Sequence, residues 1–192
     1  MRRFNTEGPV VPDRHYCIPP LARLDDVDRV LELVRDMRYF VLHAPRQTGK
    51  TSALLALRDL LNTGAAGDLH CVYVNIEPAQ AQREDVERAM RVIVGQVASR
   101  ARASGDGFLY QVWTDILAAF GGGALQEALS RWAEESPKPL VVLIDEIDTL
   151  VGDTLISVLR QLRAGYDQRP ERYPQSVVLC GVRDVRDYRI RS

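Results

Sequence analysis

Tyr39-Phe40-Val41-Leu42-His43-Ala44-Pro45-Arg46-Gln47-Thr48-Gly49-Lys50-Thr51 is the stretch that decides the fold. Tyr39 to Leu42 is a short, wholly apolar run of strand length. Ala44 to Thr51 then matches G-x-x-x-x-G-K-[ST], with Ala44 in place of the first glycine. The residues after it predict a helix over 51–61, stopped near Asn62 and Gly64. A buried strand entering and a helix leaving is the context in which this spacing cradles phosphates. Backbone N–H groups of Gln47 to Thr51 line the turn, and the helix N-terminus adds its positive end. Gly49 lets the backbone approach an oxygen with no Cβ in the way. Lys50 is a cation for the terminal phosphates, and the Thr51 hydroxyl is a hard oxygen suited to Mg²⁺. The expected phosphate-binding set is Ala44, Pro45, Arg46, Gln47, Thr48, Gly49, Lys50, Thr51 and Ser52. A chance Gly-Lys-Thr at a helix start would not account for the strand before it.

The second signal is Leu140-Val141-Val142-Leu143-Ile144-Asp145-Glu146. Here two acids directly follow the most apolar segment of the chain. Acids at the carboxyl end of a parallel strand face the crevice where such sheets bind ligands. Asp145 is the expected Mg²⁺ ligand, and Glu146 the residue that activates water against a γ-phosphate, with Lys50 assisting. Taken alone, an Asp-Glu pair after a strand is as well explained by a solvated turn. Paired with the phosphate loop, it predicts the same site a second time.

Working outward, the sheet follows from the pattern. Runs at Cys71–Ile76, Leu140–Ile144 and Ser176–Cys180 are continuous and β-branched rather than alternating, so each strand is covered on both faces. Helical periodicity separates them: Leu24, Val27, Val30, Leu31 and Val34 over residues 23–38, and Val86, Met90, Ile93, Val94 and Val97 over 81–102. Further helices are predicted over 108–120, to about 135, and over 154–164. The fold class is α/β, a parallel sheet with helices on both faces and right-handed crossovers. Residues 1–192 read as a single domain, with a Pro- and Gly-rich N-terminal arm at 1–20 and a helical insertion at 78–137.

Composition narrows the function classes. Hydrophobic residues make up 46% and charged residues 27% of the chain, enough for a packed core. Net charge is −1, so the balance does not point to nucleic acid, although local arginine clusters leave such a contact open. No apolar run reaches the ~18 residues needed to cross a bilayer, and residues 1–6 do not open a signal peptide. Cys17, Cys71 and Cys180 are far apart and odd in number. They read as reduced thiols, with a cytoplasmic location expected.

These motifs resemble the AAA+ and STAND groups of P-loop ATPases, and more closely a family of bacterial and archaeal AAA-like ATP-binding proteins. The residues that carry the resemblance are Arg14-His15-Tyr16 with Ile18-Pro19-Pro20, the loop His43 to Thr51 (Walker A), Ile144-Asp145-Glu146-Ile147-Asp148 (Walker B), and Cys180 to Tyr188. The resemblance implies ATP and Mg²⁺ as cofactors and hydrolysis to ADP and phosphate. It implies the ASCE-type sheet, with a strand inserted between the P-loop strand and the acid strand. The strand at Cys71–Ile76 lies between them in sequence. It places His15, Tyr16 and Ile18 near the adenine, and it puts the end of the fourth strand, with Arg183, beside the γ-phosphate as a sensor. Cys180 and Gly181 stand where Asn, Thr or Ser is usual. Asn75 and Glu77 are candidates for a switch on Glu146.

The resemblance also implies a fifth strand and a helical lid, for which residues 184–192 leave no room. The expectation is the front part of such an ATPase, weak in turnover, and prone to self-associate. Its expected partners are ATP and ADP, with a homo-oligomer or a protein partner and no membrane. Two function classes follow: an ATPase, or a nucleotide-dependent switch in which turnover is incidental. A P-loop kinase fits less well, because Glu146 suits water activation.

Overall fold

The computed structural model describes residue 4 and residues 13–16, 18–24 and 26–182. Four strands alternate with six helices. In chain order they are α1 (Val27–Arg35), β1 (Phe40–His43), α2 (Lys50–Asn62), β2 (His70–Asn75), α3 (Val86–Ala103), α4 (Phe108–Phe120), α5 (Ala124–Glu135), β3 (Leu140–Asp145), α6 (Gly152–Ala164) and β4 (Ser176–Gly181). All pairings are parallel, in the order β1-β4-β3-β2. The strand between the P-loop strand and the acid strand is therefore β4. β2, which follows β1 in sequence, lies on the far side of β3. The inserted strand that the resemblance implies is present, and it is the fourth in sequence rather than the one at Cys71–Ile76. Sequence order says nothing about spatial order when every connection is a crossover.

The sheet separates two apolar layers. On one side, Val30, Leu31 and Val34 of α1 and Leu54, Leu57 and Leu61 of α2 pack on Cys71, Tyr73, Val141, Leu143, Val178 and Cys180. On the other, α3 to α6 pack on Val72, Val74, Val142, Ile144, Val177 and Leu179, with Trp132 fully buried among them. Successive strand residues thus enter different cores, which is why β3 reads as one unbroken apolar run. Fully burying each such side chain contributes roughly 1.5–3 kcal/mol.

Two helices begin later than their apolar periodicity suggests. The repeat over 23–38 is broken by a 3₁₀ turn at Pro20–Arg23, and α1 starts only after Asp26, whose carboxylate accepts from the Arg29 N–H at 2.8 Å. The repeat over 81–102 likewise splits into a 3₁₀ segment, Glu77–Gln82, and α3, capped by Asp85 on the Arg88 N–H at 3.1 Å. Arg83, at φ 48°, makes the break. Asp side chains at these positions satisfy N–H groups that the helix leaves open, so capping overrides the apolar repeat.

Candidate functional site

The functional crevice lies at the carboxyl ends of the strands. β1 ends at His43, and Ala44 N–H reaches the Gly181 carbonyl of β4 at 3.4 Å. The loop then turns through Gln47 at φ 61° and Gly49 at φ 85°, and Thr48 Oγ1 donates to the Pro45 carbonyl at 2.8 Å. Gly49 is N-terminal to α2 and occupies the left-handed region where a Cβ is disfavoured. The described non-glycine residues with positive φ are Met37, Gln47, Arg83 and Glu146, so Ala44 replaces glycine without backbone strain. Arg46 is exposed and Ser52 buried. The Lys50 ammonium is turned back on the loop, donating to the Ala44 and Pro45 carbonyls at 2.9 and 3.0 Å.

β3 delivers Asp145, which is fully buried. Thr51 Oγ1 donates to Asp145 Oδ2 at 2.8 Å, joining two motifs 94 residues apart in the chain. Tyr73, on β2, donates its phenol to the same oxygen at 2.9 Å, and the Glu146 N–H reaches Oδ1 at 3.0 Å. The Cys180 thiol also bonds Asp145, and burial followed by that carboxylate pushes the thiol up, well away from reactivity. Glu146 sits in the left-handed region at φ 61°, fixed by Thr149, whose hydroxyl and N–H both bond its carbonyl. Its carboxyl is raised above the ordinary range, first by burial and then by Asp145, Asp148 and Glu77, with Lys50 opposing.

Asp148 braces β4. Its Oδ2 accepts from the Val182 N–H at 3.1 Å, and a Cβ at Gly181 would stand 2.8 Å from its Oδ1. That is the reason for glycine after Cys180. Arg183, the expected sensor, lies outside the described residues.

The cavity beside the loop, of about 150 Å³, is lined by Leu24, Ala44, Thr48, Gly49, Lys50 and Cys180 among others. Of the residues expected at the adenine, His15 is buried, while Tyr16 and Ile18 are exposed at 54% and 61% and do not line this cavity. Tyr16 instead holds the Phe4 ring 5.3 Å away. The aliphatic wall is Leu24, Leu42 and Leu54, and of these Leu24 was expected on a helix face. Tyr73 was also missed. Its signal was available, because a phenol inside a buried aliphatic run has to find a partner. Asn75 accepts from the Glu77 N–H at 2.8 Å, and its side chain lies close to the Tyr73 oxygen.

The sequence model of the AAA domain matches residues 34–188. The chain belongs to the AAA domain family. A P-loop AAA domain binds nucleotide. Over its full length the chain also aligns with half of a chain in "Structure of Drosophila ORC bound to DNA", at 13% identity and a TM-score of 0.49, a likeness too remote to argue from. The AAA domain described here spans about half the length of that chain. No curated protein matches the sequence. No helix among the described residues is long and apolar enough to cross a membrane.

Proposed function

We propose that this AAA domain binds Mg²⁺-ATP and hydrolyses it to ADP and phosphate. The observation that supports this best is the 2.8 Å bond between Thr51 and Asp145. It places the two hard oxygens that magnesium prefers side by side, next to the phosphate loop. The donor set therefore fits the ion, and Thr51 and Asp145 would hold it. Bound there, magnesium neutralises phosphate charge as it develops. Residues Ala44 to Ser52 would take the phosphates on backbone N–H groups. Lys50 would exchange its two carbonyl partners for phosphate oxygens, a charge-assisted and stronger pairing. Glu146 would take the proton from the attacking water, and its raised carboxyl is a better proton acceptor for that task. His15, Tyr16 and Ile18 remain the proposed adenine contacts, joined by Leu24, and Arg183 the proposed sensor of the γ-phosphate.

The test measures two things on the same chain: binding of a fluorescent ATP analogue with and without Mg²⁺, and phosphate release. Magnesium-dependent binding with slow release is expected. Binding indifferent to both Mg²⁺ and Lys50→Ala would overturn the assignment.

One observation favours a second reading, a nucleotide-dependent switch. Lys50 is bonded to its own loop, so nucleotide entry has to reorganise that loop whether or not hydrolysis follows. Tight binding with no measurable release would select it. As partners we propose ATP and ADP, and a second copy of the chain or another protein acting on this crevice.

A further inference from the structure

Tyr73 is not part of either phosphate motif, yet its oxygen stands between them. β2 runs beside β3 with Asn75 opposite Asp145 and Tyr73 opposite Leu143, so the phenol reaches diagonally forward to the carboxylate. A phenol has one hydrogen to give, and it goes to Asp145 Oδ2 at 2.9 Å. The Asn75 side chain lies close to the phenol oxygen. Asn75 Oδ1 in turn accepts from the Glu77 N–H at 2.8 Å, where the 3₁₀ segment Glu77–Gln82 begins. A line of contacts thus runs from the start of the segment leading to α3, through Asn75 and Tyr73, to Asp145.

We infer that Tyr73 is a positioning residue of the metal site, orienting the Asp145 carboxylate through Oδ2 and coupling it to Asn75 at the root of the α3 segment. The inference rests on the Mg²⁺-nucleotide reading above. Thr51 and Tyr73 share Oδ2, but they are not equivalent. A threonine hydroxyl at the loop has to turn a lone pair to a cation, while the tyrosine can keep its bond to Asp145 throughout. Tyr73 is then the donor that holds the carboxylate in place when Thr51 lets go.

The experiment uses the full chain with saturating ADP and follows free Mn²⁺, a paramagnetic stand-in for Mg²⁺, by electron paramagnetic resonance. In parallel, the affinity for a fluorescent ADP analogue is measured in EDTA. Tyr73→Phe, which keeps the ring and removes only the hydroxyl, should raise the Mn²⁺ half-saturation about tenfold, as expected for one lost bond to a charged group. Its affinity in EDTA should stay that of the wild type. Asn75→Ala cuts the relay from the exposed end, without touching the core, and should shift Mn²⁺ in the same direction by about threefold. Wild-type half-saturation in both variants would overturn the inference. So would a loss of metal-free affinity matching the loss of Mn²⁺ affinity, the mark of a merely structural role. A wild-type chain that binds no nucleotide would overturn the nucleotide reading and this inference with it, whereas failure in the variants alone leaves that reading standing.

Discussion

Two largely shielded aspartates, Asp145 fully buried and Asp106 half-buried, sit at opposite ends of this sheet, and only Asp145 lies in the candidate site. Asp145, at the carboxyl end, accepts from Thr51, Tyr73 and the Glu146 N–H. Asp106, beyond the amino end of β2, accepts from the Trp132 indole at 2.7 Å and the Phe108 N–H at 3.1 Å, with His70 Nδ1 3.8 Å away. Both obey the rule that a buried carboxylate has its oxygens paired. They differ in what the partners can do. An indole N–H and a backbone N–H are donors only, so the Asp106 cluster is closed and can only brace. Thr51 carries lone pairs, so the Asp145 cluster can exchange a hydrogen bond for a cation. Ser104 sharpens the contrast. With His70 and Asp106 it has the outline of a nucleophile triad, since His70 Nε2 lies 3.0 Å from its Oγ. But that hydroxyl donates to the Ala101 carbonyl at 2.8 Å, which closes the turn after α3 and leaves the imidazole no proton to take.

The largest expected effect breaks the chemistry at the Asp145 end while leaving the fold alone. Glu146→Gln should retain Mg²⁺-ATP and lose turnover by about a hundredfold or more, because the amide cannot accept a proton. The wild-type rate should also fall with acidity at a pH above the ordinary carboxylate range. Glu146 acts deprotonated, and its carboxyl is raised, chiefly by burial. Single-turnover phosphate release across pH 5–8 checks both, and equal rates in the two proteins would remove Glu146 from its role. Lys50→Ala comes next, with a loss of about tenfold to a hundredfold in ATP affinity. Its melting temperature should not fall, since in the absence of nucleotide Lys50 bonds only two carbonyls of its own loop.

The opposite cluster should respond in the opposite way. Asp106→Ala strands the indole N–H of a fully buried Trp132 and is expected to cost about 2 kcal/mol of stability. In a chain of this size that is a fall of ~4–8 °C in melting temperature. ATP affinity, measured well below the transition, should not change. A loss of binding at constant stability would mean that the two ends of the sheet are coupled and the division drawn between them is wrong.

That division was only half legible in the sequence. Ala44 to Thr51 and Asp145-Glu146 announce themselves because phosphate and metal chemistry demand particular residues at short, fixed spacing. The apolar runs announce the strands because β2, β3 and β4 are buried along nearly their whole length and, Tyr73 apart, keep polar residues to their ends. Spatial order did not follow, since the neighbour of β1 is decided by how α6 and the β4 connection pack and not by sequence proximity. Helix starts at Asp26 and Asp85 were blurred because the apolar repeat continues past the cap. The partner of Tyr73 and the Asp106 brace were hidden for a related reason. Each is a contact between residues far apart in the chain, such as Trp132 and Asp106, and no local spacing encodes it. Leu24 counted correctly as apolar, but it faces the cavity instead of the helix packing.

The smallest effect tests whether the Asp106 cluster is truly a closed brace. Because Ser104 gives its hydrogen to Ala101, neutral His70 has to donate from Nε2, and its Nδ1 lone pair then faces Asp106. Protonation would turn that contact into an ion pair, yet burial outweighs the attraction of Asp106, Lys138 opposes it as well, and the imidazole is held below its usual 6.5. The sign follows from linkage. The unfolded chain takes the proton first as pH falls, so His70 contributes stability above about 6.5 that is lost on acidification toward the lower folded value. Partial solvent access keeps the amount small, about 1–2 °C in melting temperature. Comparing wild type with His70→Gln from pH 7.5 to 5 isolates it, since carboxylates common to both proteins cancel in the difference. The difference should shrink as pH falls. A difference that grows would show that Asp106 captures the protonated ring, making this end of the sheet a responsive site and removing the contrast with Asp145.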